Sequence, residues 1–394
     1  MSGAQGAISG PADGPRACRP EELAQVIGLV DAAMRQGSDQ TMLTDYPLVY
    51  AAANRDNVQV IAVDGAVRSV VPVLPKRATG DGFGFGLGII SPTATDPAYQ
   101  HRGLGLANVN ACVGRMTELG LELGVLWTMV ATFPFYEHAG FGAVARYGGS
   151  RRLGRGDAAR LRAWSGETVE LGSDPGRLAE VVALHDQVPA RIERSASQAA
   201  ALLSLPKMTT LVALRDGLVA GYLVVSRASN KPGLLEAGGD SRAVEGLIRS
   251  ALERLGADET IDLQQGFAPS VLDAVADQAL AAVPLAPYTA NMMVRLNDPI
   301  GYLRSIRPWL AQLGTSIADA VSIDVTDADL TISIEPRPFG MAIGTRRLDR
   351  HVTLTRRELT SILFGGHPDR PVTVPPELEW VPPLHLPIAV LDRS

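Results

Sequence analysis

Asp96-Pro97-Ala98-Tyr99-Gln100-His101-Arg102-Gly103-Leu104-Gly105 joins a strand-like run, ending at Thr95-Asp96-Pro97, to a helix-like run from Leu106 to Leu119. A Gln-x-x-Gly-x-Gly loop that opens a helix is suited to a pyrophosphate. Its glycines lack Cβ atoms, so backbone N–H groups can approach phosphate oxygens closely. The helix N-terminus adds unpaired donors and the positive end of its dipole. His101 and Arg102 bring further donors and charge to the same place. Glycine is common here, 40 of 394 residues, so a glycine pair alone decides little. The whole ordered arrangement is more specific. The competing reading is an ordinary strand–glycine loop–helix unit, or a Rossmann-type loop.

Outward from this loop, Leu106, Val109, Val113 and Met116 lie on one face of the expected helix. An apolar run follows, Val125-Leu126-Trp127-Thr128-Met129-Val130, and then Phe135-Tyr136-Glu137-His138-Ala139-Gly140-Phe141. Upstream, Glu21 to Met34 has helical periodicity. Val58 to Val63 and Ala66 to Leu74 alternate as strands about an Asp64-Gly65 turn, and a further strand is expected over Phe83 to Thr95. The glycine loop resembles motif A of the GNAT acyl-coenzyme A N-acyltransferases, and Phe135 to Phe141 resembles that family's late Phe-Tyr-Glu-x-x-Gly-Phe signature. The family's usual asparagine upstream of that signature is absent, and Met129 stands near its place.

Beyond Ser150 the theme returns. Thr210 to Leu214, Asp216-Gly217 and Leu218 to Ser226 mirror the first hairpin. An amphipathic helix follows with Val244, Leu247, Ile248, Ala251, Leu252 and Leu255 on one face. Its lead-in, Gly238-Gly239-Asp240-Ser241, lacks the Gln-x-x-Gly-x-Gly loop, and Asp240 or Ser241 reads as a helix N-cap. The charge of Asp240 opposes a phosphate there. This part reads as a second acyltransferase-like domain that has lost cofactor binding; the competing reading is an unrelated α/β domain. From Tyr288 onward, Val321 to Val325 and Leu330 to Ile334 read as strands. Thr355-Arg356-Arg357-Glu358 reads as a capping box before Leu359, Ile362 and Leu363, with Gly365-Gly366 as a stop. This last part resembles a sterol-carrier-protein-like domain.

The order of the three parts resembles the enhanced intracellular survival (Eis) family, as do Asp45-Tyr46-Pro47 and Asn54 to Val58. The resemblance implies an α/β (α+β) fold. A flexible N-terminus over 1–19 would precede a catalytic GNAT domain over 20–150. A degenerate GNAT-like domain over 151–287 and a sterol-carrier-like domain over 288–394 would follow.

Composition fits such a protein. The apolar fraction is 46%, 20% of residues are charged, and the net charge of −6 is interspersed, with no basic tract for nucleic acid. No apolar run reaches the ~20 residues of a membrane span. Cys18 and Cys112 have no metal or redox spacing, so no metal and a cytoplasmic location are expected.

The resemblance implies acetyl-coenzyme A as acyl donor and a primary amine as acceptor, either an aminoglycoside-like small molecule or a lysine side chain. Cofactor contacts are implied at Thr93, Ala94 and Thr95 of the preceding strand and at Gln100, His101, Arg102, Gly103, Leu104, Gly105 and Leu106. Ala131 and Thr132 complete the set after the later strand. Tyr136 is implied as the acid that protonates the leaving thiolate, a role that suits a phenol of pKa near ~10; its structural alternative is a core aromatic. The carboxylate of Ser394, the chain's last residue, is implied as the base, although Asp392-Arg393-Ser394 replaces the family's usual terminal phenylalanine. His138 is a candidate base but reads more readily as a surface residue, and Asp31, Asp39 and Asp45 are candidates for a cation pocket against the commoner reading of solvent-exposed acids. A homo-oligomer, a hexamer by resemblance, is expected, with the apolar tail after Glu379 docked. The alternative function is a non-catalytic carrier that holds an apolar ligand in its sterol-carrier-like part.

Overall fold

The computed structural model describes residues 11–393 apart from 39, 81, 229–232, 267–269, 314–318 and 339. Contacts group the chain into two compact units. One holds the chain up to Arg77 with Gly82–Ala145 and Ala290–Leu384. The other holds Ala78–Asp81, Arg146–Thr289 and the tail from His385.

The first unit begins with β1 (Ala12–Ala17), where a flexible lead-in was expected. The strand forms because it pairs with β2 (Val58–Val63) and because Arg16 bonds Asp13 at 2.8 Å and Glu22 at 2.6 Å. Helix α1 (Leu23–Met34) buries Val26 and Val30, and a single turn, α2 (Met42–Asp45), follows. Asp64 and Gly65, at φ 51° and 76°, make the left-handed turn into β3 (Ala66–Gly80). The single strand expected over Phe83 to Thr95 is instead two, β4 (Phe83–Ile90) and β5 (Ala94–Thr95). Pro92 has no N–H to give a ladder, so β4 ends before it. After the glycine loop, α3 (Leu104–Glu118) buries Val109, Cys112 and Met116. Strand β6 (Leu123–Thr128), helix α4 (Phe133–Glu137) and β7 (Gly142–Ala143) complete this stretch.

The second unit is built from β8 (Gly149–Gly154), β9 (Glu167–Glu170), α5 (Leu178–His185), β10 (Arg191–Ile192) and α6 (Ala196–Leu203). Next come β11 (Met208–Arg215), β12 (Leu218–Ser226), β13 (Gly233–Gly239), α7 (Ser241–Glu253), β14 (Thr260–Gln265), α8 (Val271–Ala279) and β15 (Leu285–Pro287). The β11–β12 turn again uses an Asp-Gly pair, Asp216 and Gly217, at φ 52° and 80°. All six apolar residues expected on one face of α7 and its end are buried.

The chain then returns to the first unit through β16 (Asn291–Leu296), α9 (Pro299–Ser305) and α10 (Arg307–Leu313). Strands β17 (Val321–Val325), β18 (Leu330–Arg337), β19 (Gly340–Gly344) and β20 (His351–Leu354) form a sheet in the order β19-β18-β17-β20. The capping box at Thr355 and Glu358 starts α11 (Arg356–Phe364), and Gly365 at φ 77° follows its last turn.

Sheet order holds one result that chain order conceals. The first unit's sheet runs β1-β2-β3-β4-β6-β16-β7, and the second's runs β15-β8-β14-β13-β12-β11-β9. The strand between β6 and β7 therefore comes from after residue 290, and β8 fills the matching place between β14 and β15. A hydrophobic strand pattern specifies burial on a sheet, not which of two similar sheets receives it. Among the described residues no helix is long and apolar enough to cross a membrane.

Candidate functional site

Strands β4 and β6 run parallel and pair through Leu87↔Leu123, Gly88↔Gly124 and Ile89↔Val125. Past Ile90 the chain turns away to β5, which pairs with β3 through Val70↔Ala94 and Ser69↔Thr95. Strand β6 continues to Thr128 and pairs there with β16 on its other side. The result is a wedge, with Leu126–Thr128 on one wall and Thr93–Thr95 on the other. Ser69 fixes the second wall: its hydroxyl meets Thr95 Oγ1 at 3.0 Å and accepts from Asn108 Nδ2 at 3.0 Å.

The glycine loop stands at the head of this wedge. Gly103 is the N-cap of α3 at φ 82°, and no side chain caps the helix there, so its first-turn N–H groups are left to a ligand or water. His101, also left-handed at φ 60°, is exposed. Gly105 is needed for close approach, because a Cβ would lie 3.3 Å from both Phe135 Cζ and Thr95 Oγ1. Gln100 donates to the Thr95 carbonyl at 3.2 Å. Arg102 and Arg68 lie 5.0 and 4.7 Å from the Tyr99 ring, and Arg68 pairs with Asp96 at 2.7 Å. Leu104 packs against Ile61 and Val63, while Leu106 packs on the core around Val109 and Met116.

Tyr136 lies on α4, 8% exposed, with its ring perpendicular to Phe135 at 4.8 Å and to Phe141 at 6.3 Å. Its hydroxyl lies beside the side chain of Thr93, the residue at the mouth of the wedge. Burial raises the phenol above its ordinary value, and the Thr93 side chain opposes this only in part. Ala131 is exposed in the turn after β6. Thr132 is the N-cap of α4; its hydroxyl donates to the Met129 carbonyl at 2.8 Å and meets the Thr128 hydroxyl. The structure thus sets Thr93, Tyr136, Phe135, Gly105 and Thr95 as successive neighbours.

Other expectations resolve differently. Ser394 and Asp39 lie outside the described residues. Asp45 is buried against Arg35 at 2.6 Å, and Asp31 accepts from Thr41 and from the Met42 amide, so both acids hold the α1–α2 connection instead of lining a pocket. His138 is exposed, its ring nitrogen against the Pro134 carbonyl, as a surface residue should be. Reading the sequence missed Asn291 and His367. Asn291 donates to the Thr128 carbonyl at 3.1 Å, and His367 is buried against Asn291 at 3.1 Å. Nothing in their local sequence marks them, since the pairing of β16 with β6 is what brings them there. Among the described residues no cluster of acidic, histidine or cysteine side chains suits a metal ion.

The second unit contains the corresponding parts without their openness. Strands β13 and β14 are parallel at Leu234↔Leu263, and α7 follows β13. Asp240 caps α7, accepting from the Arg242 and Ala243 amides at 2.8 and 3.1 Å. The donors a phosphate would use are already taken, by a carboxylate. Between the two strands lies a cavity bordered by Leu235, Glu236 and Gln264, and residues Pro387, Ala389 and Asp392 of the tail close over it. Asp392 meets buried Arg194 at 2.8 Å, and Arg194 binds both oxygens of Glu236 at 2.9 and 2.6 Å. Leu386, Ile388 and Leu391 are buried, so the apolar tail docks as expected.

No family model matches the sequence, and no curated protein matches it. Solved structures do. A probable N-acyltransferase from Enterococcus faecalis superposes with a TM-score of 0.66 at 16% identity, covering 90% of this chain and 89% of that one. A GCN5-related N-acetyltransferase from Anabaena variabilis gives 0.67 at 13% identity, covering 90% of each chain. Eis1 from Mycobacterium abscessus gives 0.62 at 15% identity, covering 93% of this chain and 95% of that one. The chain shares the fold of these proteins along nearly its whole length.

Proposed function

We propose that the first unit is an acyl-coenzyme A-dependent N-acyltransferase, with acetyl-coenzyme A as donor and a primary amine as acceptor. The observation that carries this reading is the Tyr136–Thr93 contact at the mouth of a wedge whose head is an uncapped glycine-loop helix. The helix N-terminus would take the pyrophosphate, and the free edges of the wedge would take the amide-bearing arm. The amine nitrogen then attacks the thioester carbonyl, the carbon–sulfur bond breaks, and the thiolate leaves with a proton from the Tyr136 phenol. A phenol raised by burial stays protonated at working pH. The same dry surroundings raise the basicity of the departing thiolate, which keeps the transfer feasible.

The base is proposed to be the Ser394 carboxylate, which would accept the proton lost by the ammonium. Deleting Asp392 to Ser394 is a poor test, because it also removes a partner of Arg194. One added glycine after Ser394 moves the carboxylate alone; unchanged turnover in that variant would rule the base out. The acceptor is proposed to be a small polyamine or a lysine side chain. The protein is proposed to be a cytoplasmic homo-oligomer, hexameric, and light scattering decides its size. Release of coenzyme A thiol from acetyl-coenzyme A, measured against a panel of amines and lysine peptides, tests the reaction. An accelerating amine is expected, and hydrolysis independent of every amine would reject the reading.

A further inference from the structure

Strand β6 ends at Thr128, and two residues distant in sequence hold that end. Asn291, the first residue of β16, donates from Nδ2 to the Thr128 carbonyl at 3.1 Å. Its Oδ1 meets His367 Nε2 at 3.1 Å. His367 Nδ1 accepts the Asp369 backbone N–H at 3.1 Å, so the ring proton sits on Nε2 and points at Asn291. The imidazole is fully buried and stands perpendicular to the ring of Phe133, with centroids 5.1 Å apart.

Both contacts lead to Tyr136. Phe133 is the first residue of α4, and Tyr136 is on the same short helix. Thr128 and Thr132 meet through their hydroxyls, and Thr132 is the N-cap of α4. A helix of this length has little rigidity of its own, so its start must be fixed from outside. The polar arm through Asn291 sets the strand end, and the packing arm through Phe133 sets the helix start. Together they set where the phenol meets Thr93.

We infer that His367 and Asn291 are positioning residues, which place the Tyr136 hydroxyl at the wedge without touching the reacting atoms. Their effect on turnover rests on the reading of Tyr136 as the acid; their effect on its position does not. Neither is a group that reacts: the His367 ring is committed at both nitrogens.

The test compares His367→Leu, which removes the donor, with His367→Gln, whose terminal amide can reach the place of Nε2. His367→Leu is expected to lower kcat at least about tenfold, since a shift near 1 Å can cost about 10²-fold, with KM for acetyl-coenzyme A changed less than about twofold. His367→Gln should restore most of the turnover. Asn291→Ala gives the same reading if the leucine variant fails to fold. In parallel, fluorotyrosine labelling reads the position directly, with the Tyr136 resonance assigned by its loss in Tyr136→Phe. That resonance should move in His367→Leu and Asn291→Ala and stay in place in His367→Gln. An unmoved resonance in a folded leucine or alanine variant overturns the inference, whether or not any amine is acylated. A resonance that moves in these variants, when the wild type acylates no amine, would leave the positioning intact and remove the enzymatic reading instead.

Discussion

Arg194→Met separates charge from packing in the second unit. The side chain of Arg194 is 2% accessible, and it is bonded to Glu236 and to Asp392. Methionine keeps the length and removes the cation, which leaves two carboxylates facing each other in a dry site. Breaking a buried pair by removing one partner costs about 3–5 kcal/mol. The chain could escape by releasing its tail. That would expose Leu386, Ile388 and Leu391 at about 1.5–3 kcal/mol each, together about as much as the unpaired charges cost or more. The tail therefore stays docked, and the unit melts about 6–20 °C lower, at about 2–4 °C per kcal/mol. Asp392→Asn keeps an oxygen for the Arg194 Nε–H and leaves arginine and Glu236 as a neutral pair, so about 1 kcal/mol is expected.

His185 adds a pH signature to the same site. Burial works against its protonation, but its Nδ1 lies 3.5 Å from Glu236, a long charge contact, and the net effect raises the imidazole. A raised group stabilises fully below its unfolded value of 6.5 and loses that contribution as pH rises through the folded one. Without Arg194, protonated His185 becomes the main counter-charge. The gap between wild type and Arg194→Met should therefore narrow from pH 8 to pH 6. Differential scanning calorimetry over that range is the assay, since two units can give two transitions. A melting point within about 2 °C of wild type at pH 8, or a gap that does not narrow, refutes the reasoning.

Gly103→Asn and Gly103→Asp meet nothing within 4 Å at their Cβ and share the strain of a side chain at φ 82°, so they differ mainly in charge. Calorimetry should find acetyl-coenzyme A bound more weakly by the aspartate variant than by the asparagine one; equal affinities would place the pyrophosphate elsewhere. One cofactor should bind per chain, because Asp240 already caps α7, and a titration reaching two equivalents would contradict this. Because burial raises the Tyr136 phenol, the alkaline loss of kcat assigned to it should fall above pH 10, its ordinary value. A loss removed by Tyr136→Phe but centred below that would mean that the phenol is not buried during turnover.

Local signals made much of the fold legible. Asp-Gly pairs marked both hairpins, α7 announced itself by its apolar face, and the Thr355–Glu358 box started α11 where expected. The glycine loop was legible as the start of α3 because its signal lies in residues adjacent in the chain. What sequence order hid was non-local. The exchange of β8 and β16 between sheets has no local signature, so Asn291 and His367 gave no sign of supporting α4. The break at Pro92 was legible in principle and missed, since a proline cannot serve in mid-strand. The partners of Asp31 and Asp45, Thr41 and Arg35, were hidden because the bend between α1 and α2 brings them together.

Amine-dependent thiol release from acetyl-coenzyme A, compared between wild type and Tyr136→Phe, bears on the site most directly. With a competent amine the wild type should turn over. The phenylalanine variant should be about 10²–10⁴-fold slower, the usual worth of one general acid, while calorimetry finds the same affinity for the donor. Wild-type turnover by a folded Tyr136→Phe protein would contradict the assignment of this phenol as the proton donor.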